Sequence, residues 1–411
     1  MSTVKLGIGF ATGRKSFKKV LTSYVNMWEM SKKNLPDDLD IELNLFVAYD
    51  TSYKGYESTD FTNLSQKVVN EFNKIVFIGE KNILHSLELL SLSGKFTDAE
   101  LKAVFGNGYA GKRNLVLLSA LENHMDYLIF LDDDEYPMAL MDDGGICDWR
   151  GQEVLKTHIQ EIPDADFTHG YHCGYISPIP QIKFDNTLSE ETFKKFITSI
   201  SNDIINWENI KDLMSTKGIT YASKDIMGKK LVTDVPYVGG CKFISGANLC
   251  INLRDPFKSL SFFNPPKARG EDTFLSTMLK DRVVKKVPCY TFHDGFATYN
   301  QLLEGALPIH LKGISAESEK VRIRFRRACF GWVRYKPLLT YIVNKENFNS
   351  TIANMRMDLE ETLPSISKYF QDDKFMLILN DLDKYYRDTE KHYELFTLNQ
   401  KTWNKIIKSI F

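Results

Sequence analysis

The stretch Leu128-Ile129-Phe130-Leu131-Asp132-Asp133-Asp134-Glu135 sets four apolar residues directly against four acids. Like charges packed this closely repel, so the cluster is costly without a cation. A hard divalent cation such as Mg²⁺ or Mn²⁺ prefers oxygen ligands and commonly shares them with phosphates. Alternation along an extended chain sends Asp132 and Asp134 to one side and Asp133 to the other. Asp132 and Asp134 are therefore the candidate metal ligands. A solvated turn is the plainer reading, but it fits poorly after so apolar a strand.

Three further groups could share in this chemistry. The run Gly270-Glu271-Asp272-Thr273-Phe274 holds two adjacent carboxylates. They suit the positive end of a helix dipole, and one of them could equally accept a proton as a general base. His293, in Phe292-His293-Asp294-Gly295, and His310, in Pro308-Ile309-His310-Leu311-Lys312, each carry an imidazole, which is a competent metal ligand. Each could instead be an ordinary hydrogen-bonded histidine. Lys112 and Arg113 stand at a helix start, where a cation and the helix dipole together suit a diphosphate. For Arg14 and Lys112, an ordinary surface charge is the competing reading.

The elements that must position these residues alternate strand and helix. Val4 to Ala11 reads as a buried strand, followed by a helix from about Ser16 with Phe17, Val20, Leu21, Tyr24 and Met27 at helical spacing. Strands follow over 41–48 and 74–78, then a helix over 111–123 and the strand 127–131. This order predicts an α/β fold, with a mostly parallel sheet flanked by helices on both faces. Ligands in such sheets bind beyond the carboxyl ends of the strands. Those ends are Thr12-Gly13-Arg14, Asp50-Thr51, Gly79-Glu80 and the acidic run. Further on, 167–179 reads as extended, 189–215 as helical, 247–253 and 285–292 as strands, with a short helix near Glu271. Beyond about residue 315 helical periodicity dominates. The chain therefore divides into 1–314, carrying the site, and a helical extension, 315–411.

The segment Gly108-Tyr109-Ala110-Gly111-Lys112-Arg113-Asn114, followed by a helix and then Asp126 to Asp134, resembles the core of the GT-A fold, Rossmann-like glycosyltransferases. It is similar to the family 2 type, where an Arg-Asn pair precedes the strand bearing a D-x-D motif. Residues 4–300 follow that family's order of elements. The resemblance implies a metal-dependent transferase that moves a sugar from a nucleoside-diphosphate sugar to a hydroxyl acceptor, which could be a glycan, a glycolipid or another lipid-linked molecule, or a small molecule. It implies that Ala11, Thr12 and Arg14 cradle the donor's base and ribose, that Asp50 faces the base, and that Lys112 and Arg113 lie near base and diphosphate. It places Asp132 and Asp133 at the nucleotide and Asp132 and Asp134 at the cation, completed by His293 or His310. Glu271-Asp272 resembles the pair of inverting members in which one carboxylate is the catalytic base, and Asp272 is favoured. His169, Tyr171, His172 and Tyr175 could face a sugar or fill the core. No clean Q-x-x-R-W motif follows, so single addition is expected rather than polymerisation. The alternatives are a sugar-1-phosphate nucleotidyltransferase, of whose glycine-rich loop Thr12-Gly13-Arg14-Lys15 is only a stub, and a non-catalytic carbohydrate-binding protein of the same fold.

A formal net charge of -1 gives no global reason to expect nucleic acid as a partner. The start MSTVKLGIGF lacks the layout of a secretory signal, and no apolar run approaches the roughly 20 residues that span a bilayer. A cytoplasmic location is expected. The six cysteines form no C-x-x-C pair and read mostly as buried thiols. Arg322, Arg324, Arg326, Arg327, Arg334 and Lys336 form a basic block, and 401–411 reads as a basic amphipathic helix. That helix could rest on an anionic membrane surface. Docking of Trp403, Ile406, Ile407 and Ile410 onto the main domain, or a dimer contact, is the favoured alternative.

Overall fold

Apolar residues at every second position build the first strands, and each strand feeds a helix that covers one of its faces. A computed structural model of the chain describes residues 2–411 apart from 37–38, 53, 84–87, 89–90, 92–93, 107, 202–206 and 297–305. The first elements are β1 (Ser2–Thr12), α1 (Phe17–Ser31), β2 (Leu39–Tyr49) and β3 (Lys74–Ile78). Val4, Leu6, Ile8 and Phe10 of β1 pack with Leu43, Leu45 and Val47 of β2 beneath α1, while Phe46 and Ala48 face the other side. Burial on both faces is what a central, helix-covered sheet requires.

Next come α2 (Asp98–Phe105), α3 (Tyr109–Glu122) and β4 (Tyr127–Leu131). Thr97 and Glu100 close a capping box at the start of α2, each satisfying a backbone N–H of the other. After β4 the chain forms β5 (Glu135–Tyr136), the hairpin β6 (Met138–Asp143) and β7 (Ile146–Gly151), α4 (Val154–Glu161) and β8 (Phe167–Gly174). The stretch 189–215 is two helices, α5 (Glu190–Ile200) and α6 (Trp207–Ser215); 202–206 lie outside the described residues. β9 (Thr233–Asp234), β10 (Leu249–Asn252), α7 (Glu271–Thr277) and β11 (Val284–His293) complete the part that carries the sheet.

The sheet runs β3-β2-β1-β4-β10-β8-β11-β5, with β9 added beside β11. It is a mixed α/β sheet, which corrects the mostly parallel expectation. Pairs β2–β3, β1–β2, β1–β4 and β8–β11 are parallel; β4–β10, β8–β10, β5–β11 and β9–β11 are antiparallel. The direction changes at β10, which lies between β4 and β8. Leu249 stands opposite Phe130 and Asn252 opposite Tyr127, so β10 starts beside the end of β4 and runs back along it, antiparallel to both neighbours.

The helical extension consists of α8 (Glu319–Val343), α9 (Phe348–Phe370), α10 (Leu377–Arg387) and α11 (Thr389–Ile410). Phe325, Cys329 and Val333 of α8 share a core with Phe193, Phe196 and Ile197 of α5 and with α9 and α10. Trp403, Ile406 and Ile407 of α11 pack into the same core as α2, α3 and β4. The apolar face of α11 is therefore occupied by the protein itself, as the docking alternative supposed; Ile410 and Phe411 remain exposed. Much of the basic block is also engaged internally. Arg326 pairs with Asp372, Arg334 with Asp381 at 2.5 Å, and Lys336 donates to the Ser201 carbonyl at 2.6 Å. Among the described residues, no helix is long and apolar enough to cross a membrane. Cys173, Cys250, Cys289 and Cys329 are buried thiols, while Cys147 and Cys241 are partly exposed.

Candidate functional site

The acidic run leaves β4 as a turn, closed by the Glu135 N–H donating to the Asp132 carbonyl at 3.4 Å. A turn does not alternate, and this corrects the expectation that Asp132 and Asp134 share one side. Asp133 and Asp134 instead converge on Arg14, whose Nη1 lies 3.0 Å from Asp133 Oδ1 and 2.7 Å from Asp134 Oδ2. Asp132 points elsewhere, to Arg113 Nη2 at 2.9 Å. The Thr12 hydroxyl donates to Asp133 Oδ2 at 2.6 Å and accepts from the Arg14 N–H at 2.9 Å. Ala11, Thr12 and Asp133 are all buried, and Thr12 and Asp133 together anchor Arg14.

Burial alone would lower the Arg14 pKa, yet Asp133 and Asp134 more than reverse this and hold the guanidinium above its usual range. Burial would raise Asp134, but His293 and Arg14 hold its carboxyl well below the usual range. Partial withdrawal from water, assisted by the neighbouring acids, raises Asp132 above the usual carboxylate range against the opposing charge of Arg113.

His293 ends β11 and sits opposite Glu135 in the β5–β11 ladder. Its Nε2 lies 3.5 Å from Asp134 Oδ1, and this carboxylate outweighs burial to raise the imidazole to about 9. His310 is exposed and bonds the Gly145 carbonyl through Nδ1 at 2.8 Å, in the turn between β6 and β7. Of the two candidate histidines, the structure brings His293 to the acidic run and engages His310 at the hairpin.

Asp132, Asp134 and His293 offer oxygen and imidazole donors of the kind Mn²⁺ or Mg²⁺ accepts. Asp132 keeps 37% of its side chain exposed, so it has room for another partner. Among the described residues no three of His, Cys, Asp or Glu form a ready cation nest. A cation here would take one or two carboxylates of the run and complete its shell with substrate phosphates.

Arg113 links this run to the second pair of acids. It is buried, with its guanidinium 5.1 Å from the Phe130 ring and 5.5 Å from the Phe262 ring. One Nη donates to the Gly246 carbonyl, the other holds Asp132, and Nε faces Glu271 Oε1 at 3.6 Å. A Cβ at Gly246 would lie 3.3 Å from Arg113 Nη2 and 3.4 Å from the Asp272 Cβ, so Asp272 flanks the same space. Burial first, then the Glu271 charge, pushes Asp272 up to about 6. The helices bearing these groups, α3 and α7, both begin at a glycine with positive φ, Gly108 at 118° and Gly270 at 105°. An L side chain resists that backbone, and glycine accepts it.

Lys112 Nζ meets Asp50 Oδ2 at 2.9 Å, which joins two residues expected at the base end of the site. Burial would raise Asp50, but hydrogen bonds from Ser52 and Lys112 lower it. Asn114 is structural. Its amide bridges the Val104 and Phe262 carbonyls at 2.8 and 2.9 Å and accepts from the Phe262 N–H at 2.7 Å.

The aromatic and histidine stretch after α4 divides. Tyr175 is a core residue, 1% exposed, with its hydroxyl donating to the Lys312 carbonyl at 2.5 Å. Tyr171 stacks on Tyr290 with ring centroids 5.2 Å apart. His169 is buried with neither ring nitrogen hydrogen-bonded. His172 Nδ1 lies 3.1 Å from Glu135 Oε2, and the Thr291 hydroxyl donates to the same carboxylate oxygen at 2.7 Å. Sequence reasoning assigned Glu135 no role apart from the acidic run. Its place at the end of that run gives no hint of His172, 37 residues on.

No family model and no curated protein matches this chain, so the functional reading rests on the residues just described.

Proposed function

We propose that the chain is a glycosyltransferase of the GT-A type, moving a sugar from a nucleoside-diphosphate sugar to the hydroxyl of an acceptor in one inverting step. The observation that carries this reading is the Arg113 clamp, which ties Asp132 to Glu271 and so brings the acidic run beside Asp272. A phosphate-side cluster and a candidate base are both needed for such a transfer, and they lie on either side of one buried guanidinium.

Asp134 and His293 would hold a divalent cation, which when bound neutralises charge on the leaving diphosphate. Asp272 takes the proton of the acceptor hydroxyl as its oxygen attacks the anomeric carbon. The new bond joins that oxygen to the carbon; the bond from carbon to phosphate oxygen breaks, and its electron pair leaves with the nucleoside diphosphate. In this reading the paired Lys112 and Asp50 contact the base. Arg14, held against Asp133 and Asp134, adds positive charge next to the diphosphate.

The test incubates the full chain with a panel of nucleoside-diphosphate sugars and Mn²⁺ and follows release of nucleoside diphosphate. Asp272→Asn is expected to cut turnover by about 100-fold or more while sparing the thermal shift given by nucleoside diphosphates. Asp134→Ala is expected to abolish the manganese-dependent part of that shift. The reading fails if no nucleoside diphosphate, free or sugar-linked, shifts the melting temperature with or without Mn²⁺.

A further inference from the structure

The chain after β11 bends back over the acidic run and is gripped there by α8. Lys320 Nζ donates to the Phe296 carbonyl, and Arg324, four residues on and so on the same helix face, lies over the Phe296 ring at 4.6 Å. The two side chains pin the Asp294–Phe296 corner beside His293.

Gly295 sits at the centre of that corner. An ideal Cβ built on it would lie 2.5 Å from Arg324 Nη2 and 3.1 Å from His293 Nε2. The arginine of α8 and the imidazole that faces Asp134 thus meet over a residue without a side chain. A larger residue at 295 would occupy the space in which they approach.

The charges around Arg324 are unlike those around its neighbours on α8. Arg326 and Arg334 find Asp372 and Asp381. Arg324 is only partly exposed and rests on a ring instead. Burial lowers its guanidinium from the usual range, and Arg14 and Arg269 push the same way against the pull of Asp134 and Asp294. Asp134 is already shared between Arg14 and His293. Arginine stays charged in proteins, so Arg324, resting on the Phe296 ring at a half-buried edge beside His293, presents a positive charge that a bound anion can take up.

We propose that Arg324 is a binding residue for the diphosphate of the donor, so that α8 of the helical extension completes the site on the sheet. This rests on the function proposed above and adds the anion contact that closes it from outside the sheet. A planar guanidinium can grip two phosphate oxygens at once, which a lysine cannot do.

The experiment titrates the full chain with UDP, GDP, ADP and CDP in the presence of Mg²⁺, then repeats the best binder with its monophosphate. Arg324→Ala is expected to weaken the diphosphate by about 10- to 100-fold and the monophosphate far less. Arg324→Lys should recover part of the loss. Gly295→Ala, whose Cβ would crowd both Arg324 Nη2 and the His293 ring without straining the backbone, should also weaken the diphosphate with Arg324 still present. Equal losses for both nucleotides, or none, in a wild-type protein that binds diphosphates would overturn the role of Arg324 alone. A wild-type chain that binds none of the four would overturn the proposed function, and this role with it.

Discussion

At the scale of single residues, the environment of Asp272 sets a pH dependence. Burial and the Glu271 charge push its carboxyl up to about 6, so below that pH it holds a proton and cannot accept another. Turnover at limiting substrate should rise roughly tenfold per pH unit well below 6 and level off above it. Glu271→Gln removes the like charge, lowers the Asp272 pKa and should move this limb to lower pH. A limb that stays in place in both Glu271→Gln and Asp272→Asn would take Asp272 out of the role. Arg113 is as demanding a residue. Removing it leaves Asp132 and Glu271 facing each other, and Arg113→Ala should cost about 2–3 kcal/mol in urea unfolding, with loss of activity.

At the scale of elements, two helix starts aim the chemistry. Gly270 takes φ 105°, and a Cβ there would lie 3.1 Å from the Tyr335 ring. Gly270→Ala should therefore destabilise by about 1–2 kcal/mol and lower kcat more than it raises KM, since Asp272 shifts while the donor contacts remain. Steady-state kinetics beside urea unfolding would check both parts. The strands up to β4, with α1 and α3, were legible because apolar residues recur at strand or helix spacing and each strand ends in polar residues; 74–78 and 127–131 have the predicted bounds, whereas α2 (Asp98–Phe105) was missed. The hairpin of β6 and β7 was missed, although Asp142-Asp143-Gly144-Gly145 carries a turn signal that could have revealed it. The antiparallel course of β10 was not legible, because its apolar residues read alike in either direction. Within the site, Asp132 to Asp134 and Asp272 stood out as carboxylates at element ends. The clamp of Arg113 and the reach of Arg324 did not, since both depend on partners far off in sequence. The side on which each acid points was misread because a turn replaced the extended chain.

At the scale of the whole molecule, the helical extension is joined to the sheet through shared cores. Trp403 is buried, and its Nε1 donates to Ser259 Oγ at 3.1 Å. Asn399 ties α11 to the Ala103 carbonyl at 2.9 Å and accepts from the Ser261 hydroxyl at 2.6 Å. Trp403→Ala should lose about 3–5 kcal/mol in chemical unfolding, a loss felt by the sheet as well as by α11. Separate melting of the two regions would contradict that coupling.

The placement of Trp403, Ile406 and Ile407 inside the core of α2, α3 and β4 also fixes an order of events during synthesis. A nascent chain can pair β1, β2 and β4 early, yet it leaves an apolar cleft open until residues 399–407 emerge from the ribosome. Until then the half-finished protein offers chaperones and proteases a greasy flank, so a transcript cut short upstream yields a product marked for disposal.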